Sequence, residues 1–249
     1  MNEISALVLT YNEEDRIADC LKSLSFADEI IVVDSGSTDG TLEIVRQYTP
    51  HIFNQPWLGF SGQRNFGLQK CHGEWILLLD ADERIESGLA LEIKEKLSHN
   101  PEYSAFYLPR KAMFLGKWIK HAGWYPDYVC RLIKNGAGYY ENLVHENLII
   151  SGKTGRMKGA IVHFGHRNMN HFIEKMNQYT SLGAEGMAEK GRKAGITACL
   201  FRPLWAFFRM YILKRGFLDG TEGFVVSTYH AYNVFLKYAK LWEYNHVKK

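Results

Sequence analysis

A chain of 249 residues, 46% hydrophobic and 23% charged, is long enough for one α/β domain with an appendage or for two small domains, with ample apolar mass for a core. That balance excludes the fibrous, disordered and disulfide-scaffold classes, and the four cysteines, Cys20, Cys71, Cys130 and Cys199, stand without C-x-x-C spacing, which fits a reducing compartment and excludes a zinc knuckle. The net charge of +3 conceals an asymmetry: residues 151–249 hold 16 Lys/Arg against 6 Asp/Glu, a net of +10, which leaves −7 for residues 1–150. An acidic half suits a metal ion and substrate hydroxyls, and a basic, aromatic-rich half suits an anionic surface.

Met1-Asn2-Glu3 leads straight into a strand, without the basic, apolar and small-residue succession of a secretory leader. That strand, Ile4 to Thr10, turns through Tyr11-Asn12-Glu13-Glu14 into a helix with Ile17, Cys20, Leu21 and Leu24 at helical spacing. Glu29 to Asp34 is a second strand that ends in acid, followed by the Gly/Ser-rich turn Ser35 to Thr41 and a helix over Leu42 to Gln47. His51 to Asn54 is a short third strand, and Gly59 to Cys71 a helix that presents Gln63, Arg64 and Asn65. Trp75-Ile76-Leu77-Leu78-Leu79 is too short a run for a buried helix and reads as a central strand covered on both faces, before a helix over Ser87 to Leu97. Strand and helix in alternation predict a parallel, right-handed, doubly wound α/β sheet. No G-x-G-x-x-G follows the first strand, so a dinucleotide-type pyrophosphate grip is not indicated.

The central strand runs into Asp80-Ala81-Asp82-Glu83-Arg84. Asp80 and Asp82 straddle one residue and point the same way from the carboxyl end of the strand, where open α/β sheets bind ligands. Two hard carboxylates there suit Mg²⁺ or Mn²⁺, ions that complete their shell with water and substrate phosphates, although a bare D-x-D is also a common solvated turn. Asp34 shares that sheet edge and is placed to bind a nucleobase or ribose.

Beyond Pro101 the pattern changes, with strands over Ala105 to Leu108 and Tyr128 to Ile133, and Trp118, Trp124, Tyr125, Pro126 and Asp127 between them. Tyr139, Tyr140 and Val144-His145-Glu146-Asn147 follow. Aromatic planes mixed with single polar groups suit a sugar-binding cleft, and they equally suit a core. Ala160 to Phe164 is a last strand, and helices over 170–190, 197–215 and 222–242 complete the chain, separated at Gly191/Gly195 and Gly216/Gly220. The pattern divides the chain into residues 1–168, the nucleotide-binding and catalytic part, and residues 169–249, a basic helical extension. The most apolar long window, Ile196 to Leu213, is interrupted by Arg202, Pro203 and Arg209, so a bilayer span is not expected. Its aromatic, aliphatic and basic composition suits a helix lying in a membrane interface, or one packed on the catalytic part or on a second subunit.

Val8-Leu9-Thr10-Tyr11-Asn12-Glu13-Glu14, Val33-Asp34-Ser35-Gly36-Ser37-Thr38-Asp39-Gly40-Thr41, Arg64-Asn65 and Leu79-Asp80-Ala81-Asp82-Glu83, in this order and spacing, resemble family 2 glycosyltransferases of GT-A fold. Pro126-Asp127, Arg131-Leu132, Val144-His145-Glu146 and Gly216-Phe217-Leu218-Asp219-Gly220 with Tyr238-Ala239-Lys240-Leu241 look like the bacterial branch that builds the lipopolysaccharide core. The resemblance implies inverting transfer of a hexose from a nucleoside-diphosphate sugar, UDP-glucose by likeness, to a hydroxyl of a core glycolipid or other cell-surface glycan. It implies Thr10, Asn12, Glu13, Asp34, Arg64 and Asp80 around the nucleotide sugar and Asp82 on Mn²⁺ or Mg²⁺; His145, beside Glu146, is placed either to complete the metal shell through its imidazole or to anchor a loop. Inversion needs a carboxylate to take the acceptor's proton. The family's usual Glu-Asp pair is not obvious, which leaves Asp127 and Glu146. The expected setting is cytoplasmic, peripheral on the inner face of an anionic membrane, with a homo-oligomer as the alternative use of the tail and no nucleic-acid partner. A haloacid-dehalogenase-type phosphotransferase also places D-x-D after a strand, but its motif runs on into Gly-Thr and usually lies on the first strand. A carbohydrate-binding protein without chemistry is the other alternative.

Overall fold

The computed structural model describes residues 3–99, 102–141, 147–165 and 168–247. Two compact units emerge, one of residues 1–110 with 127–163, the other of residues 111–126 with 164–249. The second unit therefore takes in residues 111–126 as well as the helical tail, whereas the sequence pattern divides the chain at 168/169.

The first unit is built on β1 (Ile4–Thr10), β2 (Glu29–Asp34), β3 (Ile52–Asn54) and β4 (Trp75–Asp80), which lie parallel in the order β3-β2-β1-β4. Successive side chains of a strand face opposite ways, and both faces of this sheet are covered. Ala6, Val8, Val32, Trp75, Leu77 and Leu79 face one core, which takes Ile17, Cys20 and Leu21 of α1 (Ile17–Ser23), Val45 of α2 (Thr41–Val45) and Leu89, Ile93 and Leu97 of α4 (Ser87–His99). Leu7, Ile31, Val33, Ile76 and Leu78 face the other, where α3 (Gly59–Leu68) lies. Helix α3 rides close to β1: a Cβ on Gly67 would stand 2.6 Å from a Leu7 methyl, so only glycine fits without displacement.

Past β4 the sheet becomes mixed. β8 (Asp127–Lys134) pairs antiparallel with β4 and with β6 (Tyr103–Phe114). β5 (Glu83–Ile85) pairs antiparallel with β12 (Ile161–His163), and β11 (Lys153–Arg156) runs parallel to β6. A separate hairpin of β9 (Gly138–Glu141) and β10 (Asn147–Ile150) docks on α3 through Asn65, whose amide gives to Tyr140 O and takes from Tyr140 N, each at 2.8 Å. The expected doubly wound parallel sheet is thus its first four strands, extended by antiparallel ones.

The second unit begins at Lys111, within β6, whose last residues pair with β7 (Lys117–Trp118). Its helices are α5 (Met169–Glu189), α6 (Ile196–Phe208) and α7 (Gly220–His246). Helix α6 continues through Pro203 and passes into one turn of π-helix over Arg209–Leu213, so the interrupted apolar window is one unbroken helix. Ile196–Leu213 has a mean hydropathy of 1.3 and is 11% buried, and by length and composition it is apolar enough to cross a membrane. Phe114, Ile119, Phe172, Met210 and Val226 make the core of this unit with Trp124 packed against them, which gives Trp124 a structural role. Asp219, 3% exposed, ties α7 to the 117–121 loop by accepting from His121 N at 2.8 Å and pairing with His121 Nδ1 at 2.9 Å.

Candidate active site

The carboxyl ends of β1 and β2 carry two loops that hold each other. Asn12 adopts a left-handed backbone, φ 51°, which asparagine tolerates better than most residues. Its N–H donates to Ser37 Oγ at 2.9 Å, and its Oδ1 accepts from Thr38 N at 2.8 Å. Glu13 N donates to Thr41 Oγ1 and Gly40 N to Glu14 Oε2, both at 2.8 Å. Asp34 is fully buried, with Oδ2 accepting from Gly36 N and Ser37 N at 2.8 Å and Oδ1 from Ser37 Oγ at 2.5 Å. Gln63, equally buried, donates to Ser35 Oγ at 2.9 Å and Gln55 O at 2.8 Å and so closes the outer side of the second loop. The two motifs therefore form one rigid wall. Thr10 Oγ1, at the head of this wall, is buried and has no hydrogen-bond partner among the described residues, a vacancy that a bound polar group or water would fill.

At the end of β4 the acids separate into two groups. Asp80 faces guanidinium: Arg64 Nη2 lies 3.0 and 3.2 Å from its two oxygens, and Arg131 Nη2 2.6 Å from Oδ2. Glu83, fully buried, joins the same network, accepting from Arg131 at 3.0 Å, from Arg110 at 3.4 Å and from Asp80 N at 3.1 Å. Burial pushes the Asp80 carboxyl up, but the charges of Arg131 and Arg64 outweigh it and hold the group well below the usual carboxylate range. Burial works against the Arg131 cation too, and Asp80 and Glu83 overcome it, holding its pKa well above normal. Arg110 carries the network outward to Asp127, binding Oδ2 at 2.7 Å through Nη2 and 3.0 Å through Nε. Arg64, Arg110 and Arg131 line a cleft of about 640 Å³ with Tyr107 and Tyr140.

Asp82 turns the other way. Its Oδ2 lies 3.5 Å from His163 Nε2 and 4.0 Å from Arg16 Nη1, with the side chain 15% exposed. A carboxylate oxygen and an imidazole nitrogen directed at each other are a donor pair that Mn²⁺ accepts, and Mg²⁺ through the carboxylate. Among the described residues no group of three or more His, Cys, Asp or Glu suited to a metal occurs; Asp82 and His163 would supply two donors, and phosphate and water commonly complete the shell of such an ion. That fits an ion held between protein and a diphosphate.

The structure thus gathers Asp80 and Arg64 at one point, Asp82 at a second, Thr10, Asn12, Glu13 and Asp34 on the loop wall, and Asp127 at the outer end of the arginine chain. His145 and Glu146 lie outside the described residues. Sequence reasoning gave no role to His163, Arg110 or Glu83; the signal available for Glu83 was its place in the acidic run, and for Arg131 its place beside Leu132 in the quoted motif.

Residues 5–175 match the family described as glycosyl transferase family 2. The chain is 31% identical over 258 residues to the lipopolysaccharide core biosynthesis glycosyltransferase LpsC of Rhizobium meliloti, covering 98% of this chain and 94% of that one. It is 32% identical over 256 residues to an uncharacterized glycosyltransferase of Rickettsia felis, covering 98% and 90%. Among solved structures it resembles mannosyltransferase PcManGT from Pyrobaculum calidifontis, in complex with GDP-Man and Mn²⁺, with a TM-score of 0.58 at 16% identity over 96% of this chain and 87% of that one. It also resembles TarS 1-349 of S. aureus in complex with UDP-GlcNAc, with a TM-score of 0.51 at 14% identity over 99% and 92%. These likenesses bear out the GT-A fold and set the phosphotransferase alternative aside: the chain belongs to glycosyl transferase family 2.

Proposed function

We propose that the chain transfers a hexose, glucose from UDP-glucose, to a hydroxyl of the lipopolysaccharide core or a related cell-surface glycan, with inversion at the anomeric carbon. The observation that carries this is the division of labour at the end of β4: Asp82 beside His163, and Asp80 locked by Arg64 and Arg131, two of the arginines that line the cleft. The near full-length likeness to LpsC supports the acceptor class, and the complexes of the structural neighbours support a nucleotide-sugar donor.

Asp82 and His163 would hold Mn²⁺ or Mg²⁺, which supplies positive charge where a diphosphate leaving group gathers negative charge. The loop wall of Asn12, Glu13 and Asp34 borders the base and ribose, and Thr10 offers an unused hydroxyl beside it. Asp80, its charge already balanced, orients Arg64 and Arg131. Asp127, held at one oxygen by Arg110, serves as the base, with Glu146 the other carboxylate in reserve.

The setting we propose is peripheral, on the inner face of the cytoplasmic membrane. Ile196, Leu200, Leu204, Trp205 and Phe208 stand 82%, 53%, 59%, 58% and 43% exposed on α6. Arg202 and Arg209 on that helix would be costly in a bilayer centre but favourable among headgroups.

Incubation of the protein with Mn²⁺, radiolabelled UDP-glucose and core-truncated lipopolysaccharide tests the proposal. Label should pass to the lipopolysaccharide, with slow release of free glucose when acceptor is omitted. Binding of UDP-glucose without either product overturns the enzymatic reading in favour of a carbohydrate-binding protein, and transfer from another nucleotide sugar alone overturns the donor.

A further inference from the structure

The second unit contains a cleft of its own, about 780 Å³, formed by α6, the π-helical turn after it, α7 and the Ala122–Trp124 loop. We propose that this cleft binds the phosphate of a lipid headgroup; the proposal deepens the membrane attachment inferred above and rests on it.

Its lining is cationic. Arg202 and Arg209, seven residues apart, fall on one side of the α6 helix, and His230 and Lys237, likewise seven apart, on one side of α7. Lys214 closes the end beyond the π-turn. Among the described residues no acidic side chain lines the cleft, and no ion pair engages Arg202, Arg209, Lys214 or Lys237. Two other charges of the same unit are paired, Lys117 with Glu222 at 2.7 Å and Asp219 with His121 at 2.9 Å. Four unmatched cations around one concavity repel each other, and an anion that enters relieves that repulsion. The imidazole of His230 registers the field: its packed surroundings push its pKa down, and Lys237, Lys214 and Arg209 push it further the same way.

The walls favour an amphiphile over a free ion. Trp205 and Tyr238 line the cleft beside the cations, with the Arg202 guanidinium 4.8 Å over the Tyr238 ring. Trp and Tyr prefer the boundary between headgroup and acyl chain. Phe201 and Trp205, four residues apart on α6 and 63% and 58% exposed, both line the cleft, so a headgroup bound in it has exposed apolar surface beside it. A π-turn within a helix is frequent at functional sites, and Arg209, the first residue of this one, lines the cleft.

The test uses the full chain, sedimented with vesicles of phosphatidylcholine alone or of phosphatidylcholine carrying phosphatidic acid. Wild type should favour the phosphatidic acid vesicles. Arg209→Gln with Lys237→Gln should lower that affinity about thirtyfold, equivalent to about 2 kcal/mol for two surface cations, with the thermal midpoint unchanged. Lys190→Gln with Lys193→Gln removes two cations outside the cleft and should cost at most a few fold. Equal losses in the two double variants mean diffuse attraction and overturn the site while leaving membrane attachment standing. Indifference of wild type to phosphatidic acid overturns both. Inorganic phosphate at constant ionic strength should displace the protein from phosphatidic acid vesicles only far above the concentration of lipid phosphate; displacement at equal phosphate concentration overturns the lipid as occupant and assigns the cleft to a soluble anion.

Discussion

His163 Nε2 meets Asp82 Oδ2 at 3.5 Å because β12 pairs antiparallel with β5 in the register that sets His163 opposite Glu83, the residue after Asp82. If the pair holds the metal, Asp82→Ala and His163→Ala should both fold and both lose nearly all transfer, and the Mn²⁺ concentration for half-maximal activity should rise for His163→Ala. Retention by Asp82→Ala of more than about a tenth of wild-type kcat, roughly 1.4 kcal/mol of barrier, would sink the metal role.

Arg131 is 5% exposed and stands between Asp80 and Glu83. Its replacement by methionine leaves two carboxylates with less compensation, so Arg131→Met should destabilise the fold by about 3–5 kcal/mol. The pH dependence has a definite sign. The folded pKa of Asp80 is depressed, so its contribution is present above the unfolded value of about 3.9 and is lost as pH falls through the folded value below it. Loss of Arg131 reduces that depression, so the stability gap between wild type and variant should narrow as pH falls below about 4. Urea midpoints followed from neutral pH into acid decide the matter; a gap of constant width means that Asp80 does not draw its ionisation from Arg131.

The parallel half of the sheet was legible because its information is local. Five apolar residues ending in Asp80, and helices with Ile17, Cys20 and Leu21 or Leu89, Ile93 and Leu97 on one side, state their own geometry. The antiparallel additions are a different matter. β5 and β12 are three residues each, too short to show an alternation, and their pairing joins residues far apart in the chain. His163 was therefore visible only as a histidine at the end of a short apolar run. Arg110 and Glu83 escaped notice for a related reason: a buried ion network is a property of several strands together, and no one stretch of sequence carries it. In the aromatic loop, Trp124 could equally have stacked on a sugar or filled a core, and in the structure it is partly buried against the cluster of Phe114 and Phe172.

Asp34 binds its own loop through Gly36 and Ser37. Asp34→Ala should loosen that wall, raising KM for the nucleotide sugar while leaving kcat little changed, since contacts to base and ribose are alike in ground and transition states. The lost loop bonds should also lower stability by about 1–3 kcal/mol. A fall in kcat at unchanged KM would move Asp34 into the chemistry.

The base must reach the acceptor hydroxyl, and of the two carboxylates proposed, Asp127 has a geometry that can be argued. It opens β8 opposite Arg110 in the β6–β8 register, and both Arg110 bonds go to Oδ2. The guanidinium thus fixes the direction of the carboxylate, and with the side chain 45% exposed Oδ1 remains available to a substrate proton. Asp127→Asn keeps the shape and removes the basicity, so transfer should fall by two to four orders of magnitude, the usual worth of a positioned base, with donor and Mn²⁺ affinity nearly intact. Glu146→Gln is the matched comparison. Should Asp127→Asn remain active while Glu146→Gln falls silent with donor binding preserved, the base is Glu146. In that outcome the Arg110 clamp on Asp127 is a structural tie between β6 and β8, and Arg110→Gln should then lower the thermal midpoint with little effect on turnover.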